Sequence, residues 1–598
     1  MSRAIKGLPL VALAALAACA TAPSGGRQPS ADRQIAIDTH LLLGEVALER
    51  QQFEQALGEF LAAAELSEHP AFAERATRMA HQLELTEPGL RAVARWRELA
   101  PEDERPHWFS GVLETRAGRL DRATDDFARF VEALGDTPAG LALVLEALAA
   151  EPDTDGATEI MRQLTERFPG TAAGHYGLAR LAMRSGDFPL ALENARAASE
   201  LEPDWIDARL LYARTLLVAG RTEDSLAIAA ELAEQFDAVE VQLQYAELLL
   251  SAGRGEEAEA RLDEILADNP GLPEAIRALA FLALTEGRLE DAEQRFGELR
   301  GDPRYRSEAF YYLGRIAETN GDFLQATRLY ARVVEGTHAV EAQLRTARIM
   351  LAELGDPEGA LRHVREFGAA NPRFASNMLV AEGQILVQRG EPERAMERIR
   401  DALAESPNDQ TLHAAHVQLY AILAQDASER GELANAERLL QEGLRLYPGD
   451  RSLRYSLALL YQEQNRPRRS VGVLESLAKE HPDDSAILNA LGYLLTDQFD
   501  RHQEARGYIQ KALAMDPDNA AIIDSMGWVL FRLGEYEASL DYLERAYRLE
   551  ADPEIAAHLV DVHWALGNRE QALELLREML ELHPDSRHLH DVSRRIGR

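Results

Sequence analysis

The stretch SEAFYYLGRIAETNGDFLQATRLYARV, Ser307 to Val333, decides the fold. Phe310, Leu313, Gly314 and Ala317 recur at i, i+3, i+4 and i+7, which is one face of a helix. Asn320-Gly321-Asp322 reads as a turn, with Gly321 supplying the positive φ that ends a helix. Phe323, Ala326, Tyr330 and Val333 then form the stripe of a second helix. Gly314 and Ala326 are small because two antiparallel helices approach closely only where side chains are short. The stretch therefore predicts a helical hairpin, with its first helix over Ser307 to Asn320 and its second from Phe323.

The same setting returns along the whole chain. A small residue recurs about every 34 residues, as at Ala56, Ala123, Ala191, Ala258, Ala292, Ala326, Ala360, Ala395, Ala436, Ala505 and Ala572. Prolines such as Pro203, Pro270, Pro372, Pro407, Pro448, Pro482, Pro517 and Pro584 close many units, since proline cannot donate a helical hydrogen bond. The prediction is an all-α solenoid of about 16 helical hairpins between Ile37 and Pro584. At 598 residues a single globular core would be unusually large. A solenoid escapes that limit because each hairpin buries its apolar stripe only against its neighbours. Two units, Ala71–Pro101 and Pro138–Gly170, lack the Gly turn and rest on spacing alone. His413–Arg430 reads as a first helix longer than the pattern requires.

The pattern resembles the tetratricopeptide repeat. The motifs that carry the resemblance are Leu313-Gly314…Ala326…Tyr330, Gly111…Gly118…Ala123…Phe127, Gly383…Gly390…Ala395…Pro407 and Gly527…Gly534…Ala546. The resemblance implies a solenoid that binds proteins along the face formed by its first helices.

The N-terminus reads as a targeting signal. Arg3 and Lys6 precede an apolar run of 11 residues, Leu8 to Ala18. A bilayer span needs about 20, so the run is expected to be a signal-peptide core. Leu16-Ala17-Ala18-Cys19 resembles the bacterial lipobox, in which the cysteine is lipidated and becomes the first mature residue. Cys19 is the only cysteine, so no internal disulfide can form. By the same resemblance, Ala20 implies the outer membrane, with the protein lipid-anchored at its periplasmic face. Thr21 to Ser30, TAPSGGRQPS, is expected to be a flexible tether. The expected organisation is a signal peptide over 1–18, lipidated cysteine and tether over 19–36, repeats over 37–584 and a capping tail over 585–598.

Charge narrows the partners. With 64 basic and 100 acidic residues the formal net charge is −36, which argues against nucleic acid. Only Lys6, Lys479 and Lys511 are lysines, so nearly all positive charge is arginine. The acidic excess reads as a solvated face or as a match to a basic partner.

Motifs for catalysis are missing. The chain has no phosphate-cradling glycine loop, nucleophile elbow, HExxH or CxxC. His413 and His416 form an i, i+3 pair, but no third metal ligand is evident nearby. The expectation is a protein that is not an enzyme and holds no cofactor or metal.

By the repeat resemblance, the groove positions include Tyr176, Arg180, Arg214, Tyr311, Arg315, Asn489, Tyr493, Asp524 and Trp528, and the closer C-terminal resemblance described below adds Ser525. Tyr, Trp and Arg dominate protein-interface energetics. The alternative for the aromatic residues is packing between adjacent first helices. The segments Asn489–Tyr547 and Pro553–Leu573 carry a closer resemblance, to long proteobacterial tetratricopeptide lipoproteins of the outer membrane. One member of that family partners a periplasmic carboxyl-terminal processing protease, a PDZ-containing serine protease, and helps deliver client proteins to it. The resemblance implies a protease adaptor. The alternative is a structural scaffold in an exopolysaccharide-export, pilus or outer-membrane assembly machine. An envelope hydrolase has no residue to support it.

Overall fold

The computed structural model describes residues 31–597. Cys19, the apolar run before it and the Thr21 to Ser30 tether lie outside the described residues. Among the described residues there are 33 α-helices, one 3-10 turn and no strand. The helices pair in chain order into sixteen hairpins, and a last helix, Arg587–Arg595, closes the series. The fold is all-α, a tetratricopeptide-repeat solenoid. The chain divides into two compact units, Met1–Glu298 and Leu299–Arg598.

One rule holds across every second helix. Its fourth residue is Ala, Ser or Gly, and it is buried. All eleven alanines named above occupy this place and have no exposed surface. Ser225, Ser470 and Ser539 occupy it in three hairpins, and Gly89 in one. The first helix supplies the complementary constraint. A Cβ placed on Gly314 would stand 2.7 Å from the ring of Tyr330, sixteen residues on, which is closer than packed atoms tolerate. Gly527 meets Leu543 in the same way, at 2.5 Å. The glycine of the first helix thus makes room for the large residue four places beyond the small one.

The hairpin read first forms as predicted at its start. The first helix is Arg306–Thr319, Gly321 has φ +76°, and the Asp322 carboxylate accepts the Gln325 N–H at 3.0 Å. Its second helix, Phe323–Tyr330, is only 8 residues long. Val333 is fully buried but lies beyond the helix end, and not on the continuing stripe that was expected. The side-chain amide of the buried Gln343 donates to the carbonyls of Tyr330 and Val333, at 3.0 and 2.8 Å. Those bonds satisfy carbonyls that a longer helix would have satisfied itself.

Two further expectations need correction, and the two hairpins predicted by spacing alone form as expected. Residues 31–36, assigned to the tether, form the first turns of the helix Ala31–Glu49. They contain no Gly or Pro to break a helix, and the turn that follows buries Ile37. The small residue facing Gly527 is Ser539, whose hydroxyl donates to the Gly527 carbonyl at 2.7 Å. Ala546 is buried further along the same helix. The two hairpins predicted by spacing alone turn without glycine in different ways. Glu84 adopts φ +58° between Pro70–Gln82 and Thr86–Leu99. Between Thr137–Ala150 and Thr154–Arg167 no residue has positive φ, and Asp153 caps the Gly156 N–H at 3.0 Å.

Arginines stitch neighbouring repeats. Arg116 makes a forked pair with the buried Glu151 at 2.8–3.0 Å and also donates to the His81 carbonyl at 2.9 Å. Glu382, 2 % exposed, lies between Arg365 and Arg398 from the second helices on either side. Burial works against its charge, but the two guanidiniums hold the carboxyl below its ordinary range. Planar, permanently charged arginine suits these paired sites better than lysine.

Candidate protein-binding surfaces

The predicted groove residues fall on first helices, and the structure gathers seven of the ten into two surfaces, one in each unit. In the N-terminal unit Tyr176 and Arg180 lie on Ala172–Ser185 and Arg214 on Ile206–Val218. Together with residues from Val239–Ser251 and Glu274 they line an open depression of about 590 Å³. The half-buried ring of Tyr176 packs on Trp205, with centroids 4.6 Å apart. The Arg180 guanidinium lies 5.8 Å from the Tyr176 centroid and 3.6 Å from Glu146. Arg214 donates to the Gln244 side chain at 2.6 Å. Both arginines remain exposed. The walls are mixed: Leu210, Leu211 and Val241 are apolar, and Asp207, Glu240 and Glu247 are acidic. An apolar body with exposed charged tips suits an extended polypeptide, which offers both side chains and backbone carbonyls.

In the C-terminal unit Asn489, Tyr493, Asp524 and Ser525 line a depression of about 340 Å³. Its charged lining residues are Asp524, Glu550, Asp552 and Glu554, all carboxylates. Tyr493 donates its hydroxyl to Glu554 at 2.5 Å. Burial first, and Glu554 second, push the Tyr493 hydroxyl well above its ordinary range, so it stays protonated as the donor. The Ser525 hydroxyl donates back to the Ala521 carbonyl at 2.9 Å and so braces its own helix. The Oδ1 of Asn489 is buried and accepts no hydrogen bond.

Three predicted residues have other roles or stand apart. Tyr311 is 3 % exposed and stacks on His338, the residue that precedes the next first helix, at 4.1 Å and 6° between rings. Trp528 is 7 % exposed and stacks on His558 at 4.1 Å and 17°. Both aromatics pack between adjacent first helices, the alternative that sequence left open, because the hairpins stand close enough for the rings to stack. Arg315 is exposed beside Tyr311, away from either depression.

Residues missed by sequence reasoning carry much of the geometry. His558 is buried, and its Nδ1–H donates to Asp524 at 2.9 Å. Burial disfavours the imidazolium, but Asp524, with Glu554 and Asp561 beyond it, outweighs burial and raises the His558 pKa. The signal was available: His558 stands one repeat length, 34 residues, after Asp524. Trp205, the platform for Tyr176, sits in the turn before its helix and outside the groove register.

The histidine pair considered for metal has another task. His413 and His416 both place Nδ1 at 2.9 Å from the Tyr447 hydroxyl. The His413 Nε2 faces the Pro407 carbonyl at 2.8 Å and must be the protonated nitrogen. Tyr447 then donates to His413 and accepts from His416. Among the described residues no group of three or more His, Cys, Asp or Glu is arranged to hold a metal ion. Among them, too, no helix is long and apolar enough to cross a membrane.

Comparison with known proteins agrees with the repeat architecture. A profile described as Tetratricopeptide repeat matches residues 141–203, 176–240 and 455–520, and a second of the same description matches 249–311 and 530–596. The TPR repeat-containing protein PA4667 of Pseudomonas aeruginosa is 29% identical over 522 residues, covering 87% of this chain and 81% of that protein. Among solved structures, a chain of the APC/C hetero-tetramer Cut9-Hcn1 covers 94% of this chain and 96% of its own at 14% identity and TM-score 0.28. MamA from Desulfovibrio magneticus RS-1 covers 28% of this chain and 97% of its own at 20% identity and TM-score 0.25. The chain thus carries tetratricopeptide repeats, which are protein-interaction modules.

Proposed function

We propose that this protein is a non-catalytic scaffold whose first-helix faces bind extended segments of other proteins. The observation that carries the reading is the depression of Tyr176, Arg180 and Arg214, where two exposed arginines stand among apolar and acidic walls. The C-terminal depression complements it, since its carboxylates favour a segment bearing Arg or Lys.

The finer reading is a lipid-anchored adaptor at the periplasmic face of the outer membrane. It holds a carboxyl-terminal processing protease of the PDZ-containing serine type, activates it and presents client proteins to it. What supports this is the lipobox-like Leu16 to Cys19 and the resemblance of Asn489–Leu573 to a lipoprotein family one member of which has that role. The test is reconstitution with the host's own carboxyl-terminal processing protease. Adding this protein should raise cleavage of a client protein, and Arg180→Glu with Arg214→Glu should remove the rise. Cleavage that is the same with and without this protein rules the adaptor out.

A further inference from the structure

The C-terminal depression offers a ligand more acceptors than donors. Asp524, Glu550, Asp552 and Glu554 line it, and among the described residues no Arg, Lys or His does. Glu550 and Asp552 make no ion pair among the described residues, and the Asp552 carboxylate accepts the Glu554 N–H at 2.7 Å. The Tyr493 hydroxyl is spent on Glu554, and the Oδ1 of Asn489 accepts nothing. Leu459, Ala490, Ala521 and Ile555 supply the apolar part of the wall. A guanidinium or ammonium group on an aliphatic stem, which only donates, fits such a lining.

One titratable base is built against this lining. The Nδ1 of His558 lies 2.9 and 3.1 Å from the two carboxylate oxygens of Asp524. Glu554 precedes His558 by four residues and Asp561 follows it by three, so both share its side of the helix. Asp561 is paired with Arg595 of the closing helix, and His588 of that helix lies 3.8 Å from Glu554. Tyr493 lies 6.3 Å from His558 between ring centres, and Asp497 is one turn further along the Tyr493 helix. On the Trp528 side, Arg532 lies 5.8 Å from the Trp528 ring centre and pairs with Asp500 at 2.8 Å. The flanking second helices, Tyr536–Leu549 and Arg569–Leu582, pack on the His558 helix through apolar residues, Leu543 and Leu576 among them. Three carboxylates therefore favour the imidazolium, and two of them, Asp524 and Glu554, are the ones that a bound cation would use. The proton on His558 and the cation of a ligand draw on the same charges at a buried site, so each weakens the other by the same factor.

We propose that His558 couples the C-terminal depression to pH: the Arg or Lys side chain of a partner segment binds there in exchange for the Nε2 proton of His558, and is released in acid. The proposal rests on the reading of this depression as a seat for Arg or Lys. Nε2 is the nitrogen that titrates, because Nδ1–H is held by Asp524. The surrounding carboxylates raise the His558 pKa above its ordinary value, so affinity is gained as pH rises through a point above about 6.5.

Isothermal titration calorimetry of the full chain carrying Cys19→Ser, with acetylated, amidated tetra-arginine as the probe, tests the exchange. Paired runs in phosphate and Tris, whose ionisation enthalpies differ, count the protons released. Affinity should rise about ten-fold as pH goes from about 6 to about 9, with net proton release inside that range. His558→Gln should bind without pH dependence or proton release, whereas His588→Gln should behave as the native chain. Glu550→Lys should weaken binding several-fold at every pH. Affinity indifferent to pH, in a chain whose binding Glu550→Lys weakens, would overturn the coupling alone. So would proton release that survives His558→Gln and vanishes in His588→Gln, because the exposed histidine would then be the switch. No binding, or binding that Glu550→Lys leaves unchanged, would overturn the Arg or Lys reading together with the coupling. Should His558→Gln lose native helicity, the pH profiles of the native chain and of His588→Gln decide between the two histidines.

Discussion

The Nδ1–H of His558 donates to Asp524 across adjacent first helices at 2.9 Å, and both side chains are buried. Asp524 also lines the C-terminal depression, so the bond ties a lining residue to the next repeat. With its folded pKa raised above the ordinary value, His558 stabilises the fold fully at pH values below its unfolded pKa, about 6.5. That stabilisation is lost as pH rises through the folded pKa. Hydrogen exchange should show Ala520–Arg532 and Pro553–Ala565 less protected at alkaline pH than at pH about 6. His558→Gln should flatten the dependence. Protection that grows with pH would contradict the assigned charge.

Glycine inside a helix is a packing requirement at Gly314, in a first helix, and a liability at Gly58, in the second helix Phe53–Leu66. Gly314→Ala should cost about 1–3 kcal/mol, because its Cβ meets the Tyr330 ring. Gly58 has nothing within 4 Å of a new Cβ, so Gly58→Ala should stabilise by about 0.5–1 kcal/mol through helix propensity. Thermal melts of the two variants should move in opposite directions. For Gly314→Ala, exchange should rise mainly in its own hairpin and its neighbours, since contacts in a solenoid are local.

The three serines at the small-residue place should separate into two classes. The hydroxyls of Ser225 and Ser470 are buried without a hydrogen bond, whereas Ser539 donates to Gly527. Ser470→Ala removes an unsatisfied polar group and should leave stability unchanged or raise it by about 1 kcal/mol. Ser539→Ala forfeits a made bond and should cost about 1 kcal/mol. Denaturant titration of each variant measures the difference, and equal shifts would show that the hydroxyl bond plays no part.

Four turns hold a residue with a side chain where other hairpins hold glycine. Gln51, Glu84, Asn465 and Asp500 have φ of 53–58°. Asparagine and aspartate tolerate this region better than glutamine and glutamate. Gln51→Gly should therefore stabilise by about 1 kcal/mol, and Asn465→Gly should change little. Matching gains from both would mean that backbone strain is not what distinguishes them.

The hairpins were legible in the sequence because the small residue is imposed by helix contact distance and admits few substitutes. Glycine turns were legible for the same kind of reason, and the Glu84 turn was not, because its φ violates the preference that makes turns readable. The end of the Phe323–Tyr330 helix depends on Gln343, a residue of the next hairpin, which no local pattern reveals. The groove was only partly legible. Repeat register placed Tyr176, Arg180, Arg214, Asn489, Tyr493 and Asp524 at the two depressions, and the C-terminal resemblance added Ser525. It also put Tyr311 and Trp528 there, because register fixes the side of the helix and not whether the neighbour's ring fills the space.

The most direct measurement is quantitative affinity capture of the chain from mildly cross-linked host envelopes, beside the Arg180→Glu and Arg214→Glu double variant. The account predicts one stoichiometric protein partner, a PDZ-containing protease, that the double variant loses while keeping its helicity. A partner retained equally by the variant would contradict binding through the groove. A porin, pilus or polysaccharide-export component in place of the protease would contradict the adaptor role.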